Sequence, residues 1–111
     1  MRKGEYLGSF ELMLLLTVLQ LGDDAYGVTI AQELEKLTGR EVVLASVYAS
    51  LDRLEERGLV HSTLGDPTPE RGGRAKRYFR VTAKGLGEAR ETRQCLVKLW
   101  RNLPDFRGEK A

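Results

Sequence analysis

A mainly α fold with one short β-hairpin is predicted by three features of the chain. Apolar residues recur at helical spacing in four segments. One stretch at strand periodicity lies between the third and the fourth, and a Gly- and Pro-rich turn divides it in two. With 111 residues there is room for one compact domain, and 41% hydrophobic with 31% charged content fits a globular chain rather than a disordered one.

In the first segment Ser9 is a good N-cap, and Glu11 sits in the first turn, where the helix dipole favours an anion. Phe10 to Leu21 is apolar nearly all round, so this helix is expected to be buried on most sides. Gly22-Asp23-Asp24 ends it and offers the next N-cap. Tyr26, Ile30, Leu34 and Leu37 then follow at helical spacing up to a stop at Gly39. After Arg40, Glu41-Val42-Val43 reads as a short extended bridge. The third helix opens at Ser46 or just before it, stacks Val47, Leu51 and Leu54 on one face, and closes at Gly58 as a left-handed cap. Its other face carries Ser46, Ala49, Ser50, Arg53 and Arg57. Small residues there permit close approach to another surface; an ordinary solvated face is the alternative.

Val60, Ser62 and Leu64 alternate with His61 and Thr63 in a first strand. Gly65 to Gly73 forms the turn, and Arg77 to Val81 returns as the second strand. Thr82 is a natural N-cap for a last helix running to about Leu103, ahead of Pro104. Gly85 and Gly87 weaken its start by about 1 kcal/mol each relative to alanine. Leu86, Ala89, Arg93, Leu96, Trp100 and Leu103 make a heptad-like stripe, widened by Val97 and Leu99. Three helices do not need so much extra apolar surface, so a second copy of the chain is expected on it. Packing of the stripe against the first helix is the other reading, and both are compatible.

Charge is distributed unevenly. Arg71 to Lys84 holds six basic residues (Arg71, Arg74, Lys76, Arg77, Arg80, Lys84) and no acidic ones, leaving 12 bases against 16 acids, a net −4, elsewhere. That distribution suggests one localised anionic partner, with plain solvated charge as the alternative. Three helices followed by a basic-tipped hairpin is the order of a winged helix-turn-helix. There the third helix enters the major groove and the hairpin lies along phosphates. The domain reading is residues 1–81 for the DNA-binding unit and 82–111 for a C-terminal dimerisation helix and tail.

Several classes are disfavoured. One histidine, His61, and one cysteine, Cys95, give no metal cluster and no internal disulfide, and the simple reading is a reducing, cytoplasmic setting. No G-x-S-x-G or phosphate-loop spacing occurs, so an enzyme is not expected, nor is a cofactor. No signal peptide is visible after Arg2-Lys3, and the longest apolar run, Leu12 to Leu16, is too short to span a bilayer.

Three segments carry a family resemblance. Ser46 to Val60 (SVYASLDRLEERGLV) resembles the recognition helix of PadR-type transcriptional regulators. Gly73 to Gly85 (GRAKRYFRVTAKG) is similar to that family's wing, and Tyr26-Gly27 matches its aromatic–glycine pair. The matches lie in the right order and span more than half of the chain. Ala75 stands where the family often has proline, which implies a less rigid wing. The resemblance implies that Ser46, Tyr48, Ser50 and Arg53 face double-stranded DNA, that Tyr26 approaches the backbone, and that Arg74, Lys76 and Arg77 hold the wing on phosphates. Packing between helices is the other role open to Tyr26 and Tyr48. Short members of the family carry one helix after the wing, used for dimerisation, which implies Leu86, Ala89, Leu96, Val97, Trp100 and Leu103 at a homodimer interface. Some take a flat hydrophobic or aromatic effector between subunits, and Trp100 with Leu96 is then the candidate wall of that pocket. The resulting expectation is a ligand-responsive repressor on a palindromic operator; the alternative is a winged-helix protein-interaction module without specific DNA binding.

Overall fold

A computed structural model describes residues 6–65 and 75–104. Four helices and one hairpin follow in order: α1 (Ser9–Leu21), α2 (Gly27–Thr38), α3 (Leu44–Glu56), β1 (Val60–Leu64), β2 (Arg77–Val81) and α4 (Ala83–Arg101). The turn tip and Arg74 lie outside the described residues.

Local chemistry places the boundaries. The cap of α1 is Gly8 rather than Ser9, and the Glu11 carboxylate accepts the Gly8 N–H at 3.0 Å. Gly22–Asp24 forms a short 3₁₀ turn instead of capping α2. The α2 cap is Tyr26, whose N–H donates to Thr29 Oγ1 at 3.0 Å. Between α2 and α3 the chain is held by Glu35, whose carboxylate accepts the Val42 N–H at 2.9 Å. At the end of α3, Gly58 has φ +76°. The Gly58 N–H bonds the Glu55 carbonyl and the Leu59 N–H the Leu54 carbonyl, both at 2.9 Å, the two bonds of a Schellman turn. That turn delivers the chain into β1. The Thr82 hydroxyl caps α4 by accepting the Gly85 N–H at 3.0 Å.

The hairpin is antiparallel, with Val60 opposite Val81, Ser62 opposite Phe79 and Leu64 opposite Arg77. On its other edge β2 is covered by the segment before α2: the Phe79 N–H donates to the Ala25 carbonyl at 2.8 Å, and Tyr26 bridges Tyr78. The core joins Leu14, Leu15 and Val18 of α1, Ile30 and Leu34 of α2, Val47, Leu51 and Leu54 of α3, Leu59, Val60 and Phe79. Each such side chain contributes about 1.5–3 kcal/mol by leaving water. The α3 face read from its spacing is the buried one.

Two expectations change. α1 is not buried on most sides: Met13, Leu16 and Leu19 are exposed, because α2, α3 and α4 leave that flank uncovered. Ala89 is 4% exposed within the single chain, so it belongs to the intramolecular core and not to an open interface. The α4 stripe divides accordingly. Its first half packs on the body, where Gly85 sits so close to the Leu59 carbonyl that a Cβ there would collide with backbone. Its second half leaves Leu96, Leu99, Trp100 and Leu103 exposed.

Candidate nucleic-acid interface

The outward face of α3 carries Ala45, Ser46, Tyr48, Ala49, Asp52, Arg53 and Glu56, all exposed. Its N-terminal half is occupied by short side chains, so the helix backbone can approach a partner closely. Arg53 follows one turn on, and its Nη2 donates to Ser50 Oγ at 2.9 Å. Ser50 itself is 3% exposed. It is therefore withdrawn from the outward face: a step of four residues from Ser46 advances about 40° around the helix, towards the buried side that Val47, Leu51 and Leu54 form. Its role in this structure is to hold the Arg53 guanidinium.

Tyr48 is 36% exposed, and its ring fills the space above Gly27. A Cβ on Gly27 would lie 2.7 Å from Tyr48 Cε1, so the glycine is what lets the Tyr48 ring lie across the start of α2. Tyr26, the other half of the aromatic–glycine pair, is half-buried. It packs edge-on against Tyr78 at 5.5 Å between ring centres, and the Lys76 ammonium sits 4.5 Å above its ring. Packing contacts therefore exist for both tyrosines, alongside the exposure that each keeps.

Among the described residues, the bases of the Arg71 to Lys84 segment do not form one continuous stripe. Lys76 rests on Tyr26. Arg80 pairs with Asp23 in an exposed contact, and Lys84 Nζ donates to the Arg57 carbonyl at 2.9 Å. Arg77 turns inward. Its guanidinium bonds Asp52 at 2.8 Å, Glu55, and Ser62 Oγ at 3.1 Å, while lying 4.8 Å above the Phe79 ring. The expectation that Arg77 holds phosphate is corrected: two carboxylates of α3 outcompete a distant partner for its five donors. The same group ties the recognition helix to the hairpin and neutralises acids on the helix. Glu55 also accepts the Ser62 hydroxyl and N–H. Its carboxyl titrates below the ordinary glutamate value, first through the Ser62 hydroxyl and then through Arg77, against an opposing effect of burial. Arg57 leaves the outward face as well. It reaches Glu11 of α1 at 3.5 Å and Glu88 of α4 at 3.3 Å, which anchors the end of α3 to the body.

Sequence reasoning missed Asp52, Glu55 and Ser62 as the partners of Arg77. The signal was present as acidic residues one turn apart on α3, but which strand residue would meet them depends on the hairpin register.

Three helices, a short paired segment ahead of α2 and a hairpin beyond an outward-facing third helix define a winged helix-turn-helix DNA-binding protein. The chain belongs to the PadR-like family of transcriptional regulators, whose profile matches residues 15–91. It is thus a regulator rather than an enzyme. A PadR-like regulator from Bacillus cereus is 25% identical, with a TM-score of 0.68 over 83% of this chain and 84% of that one. A PadR family regulator from Eggerthella lenta is 27% identical, with a TM-score of 0.66 over 80% and 75%. One from Clostridium difficile, 20% identical, shares the fold with a TM-score of 0.64 over 84% and 93%. No curated protein matches the chain significantly in sequence. Among the described residues, no helix is long and apolar enough to cross a membrane.

Proposed function

We propose that the chain acts in the cytoplasm as a homodimeric repressor that reads a palindromic operator and releases it in response to a small hydrophobic or aromatic effector. The observation that carries the DNA-reading part is the outward face of α3, short at Ser46 and Ala49 and basic at Arg53, together with Lys76 of the hairpin over Tyr26 at the start of α2. In this reading Ser46, Tyr48 and Arg53 meet base edges and nearby phosphates. Lys76 and Arg74 hold backbone, and Tyr26 supports Lys76. The homodimer reading rests on Leu99 and Trp100, 60% and 68% exposed in the single chain, together with Leu96, Leu103 and the open flank of α1. Leu86 and Val97 border the same surface. A twofold pairing through α4 would set two recognition helices about one helical turn of DNA apart, ~34 Å, or a multiple of it. The effector reading rests on a cavity of about 200 Å³ between α1 and α4 that Trp100 and Leu96 help to line.

Fluorescence anisotropy with the duplex upstream of the chain's own coding region, against excess random DNA, tests the proposal. Binding that survives the competitor is the expected result. Arg53→Ala is expected to lower the ratio of specific to random affinity, since base contacts carry the discrimination. An Arg53→Ala variant with the parent's ratio would remove that residue from base readout.

A further inference from the structure

The start of α3 is built unlike the starts of the other helices. At α1, α2 and α4 a side chain answers a backbone N–H: Glu11 at Gly8, Thr29 at Tyr26 and Thr82 at Gly85. The cap of α3 is Val43, which makes no side-chain hydrogen bond. Valine is among the poorest N-caps, because it has no acceptor for the unpaired N–H groups of the first turn. Packing does not account for it either. Val43 is 60% exposed, whereas its neighbour Val42 packs against the core and has its N–H held by Glu35. The entry of the chain into α3 is therefore fixed without Val43. Leu44, the first helical residue, is 39% exposed as well.

These two apolar side chains lead the helix whose exposed face continues with Ala45, Ser46 and Ala49. In a helix-turn-helix the N-terminal residues of the recognition helix meet base edges. Hydrogen-bonding side chains are few at this end. Of the exposed residues from Val43 to Ala49 only Ser46 and Tyr48 carry a polar side-chain atom, and the Tyr48 ring lies across Gly27. Discrimination between bases by donors and acceptors is correspondingly limited here. Thymine presents one apolar group in the major groove, its C5-methyl, that the other three bases lack. Packing that methyl against an exposed valine takes both out of water, which is favourable without any polar partner.

We infer that Val43, flanked by Leu44, is a specificity-determining residue that reads thymine, its γ-methyl groups packing against the C5-methyl in the major groove. The inference rests on the DNA-reading role of α3 and adds a residue to it. A serine at position 43 would cap the helix better and lose that contact. The departure from good capping thus falls where a base is met, as local rules are broken at functional positions.

Duplexes with a randomised centre of about 20 base pairs, two helical turns, are first enriched on the full chain. Each thymine of the best-bound duplex is then replaced in turn by deoxyuridine, which removes the methyl and keeps every hydrogen-bonding group. Fluorescence anisotropy gives the affinities. Deoxyuridine is expected to weaken binding about fourfold at the thymine that Val43 meets, the effect of burying one methyl. Val43→Ser is expected to bind the thymine and deoxyuridine forms of that position equally and to keep the parent's response at the other positions. Through its new cap it is also expected to melt roughly 4–8 °C higher than the parent. A selected duplex in which no deoxyuridine weakens binding would overturn the inference. So would a Val43→Ser variant that retains the full penalty, since the methyl would then meet another residue. Melting of Val43→Ser below the parent would overturn it too, by making Val43 a packing residue. Enrichment of no sequence at all would refute specific DNA reading as a whole, an outcome distinct from a selected duplex that ignores the methyl.

Discussion

Arg77 offers the sharpest test of how the recognition helix is held. Replacing it with methionine keeps the stem over Phe79 and removes the guanidinium from Asp52, Glu55 and Ser62. The Asp52 pair is largely solvated, with side chains 35% and 54% exposed, so it contributes about 0–1 kcal/mol. The Glu55 pair is more enclosed, at 35% and 30%. A charge-assisted bond there, discounted for its remaining exposure, contributes about 1–1.5 kcal/mol. Glu55 keeps its two Ser62 donors in the variant, which limits the loss. Arg77→Met is therefore expected to destabilise the fold by about 2 kcal/mol, which lowers the melting temperature by roughly 8 °C for a domain of this size. Its DNA affinity should fall because α3 and the hairpin lose their common anchor. The slope of log affinity against log salt should stay within about half a unit of the parent's, because no phosphate contact has gone. Thermal unfolding and anisotropy at four salt concentrations measure both. A slope reduced by about one with an unchanged melting temperature would refute the reasoning, for Arg77 would then have left its carboxylates for a phosphate.

The same cluster predicts an acid response. Because the folded Glu55 carboxyl lies below its ordinary value, its contribution is present above the unfolded pKa and is lost as pH falls through the folded one. Glu55→Gln should accordingly flatten the stability loss in urea titrations taken from pH 5 downwards; a parallel decline would deny Glu55 that part. Lys76→Ala is expected to weaken binding equally on operator and random DNA and to lower the salt slope by about one. A specificity change would instead place Lys76 at a base. The two glycines at the start of α4 should respond in opposite directions. Gly85→Ala, whose Cβ meets the Leu59 carbonyl, should cost about 1–3 kcal/mol. Gly87→Ala, which meets nothing within 4 Å, should gain about 0.5–1 kcal/mol. Chemical denaturation of both would settle the order, and equal effects would contradict the packing.

Periodicity alone determined the element order, the buried face of α3 and the limits of β2, because helix and strand periods are local properties of the chain. Gly39 and Gly58 were legible as stops for the same reason: a left-handed residue at a helix end is a local requirement. The family resemblance also lay in contiguous segments and pointed to the correct family. Tertiary structure decided what each polar side chain meets. Ser46 and Ser50 are one turn apart and alike in sequence, yet only Ser46 is exposed, because burial depends on the angle at which α3 sits in the body. Arg77 looked equivalent to Lys76 within the basic segment. Strand pleating sends Arg77 back to the α3 carboxylates and leaves Lys76 on Tyr26. Gly85 and Gly87 were indistinguishable as weak helix formers until the crossing of α4 over Leu59 separated them. The exposed flank of α1 was hidden for a related reason: an apolar helix announces that it wants cover, while the number of elements available to cover it is known only once they are packed.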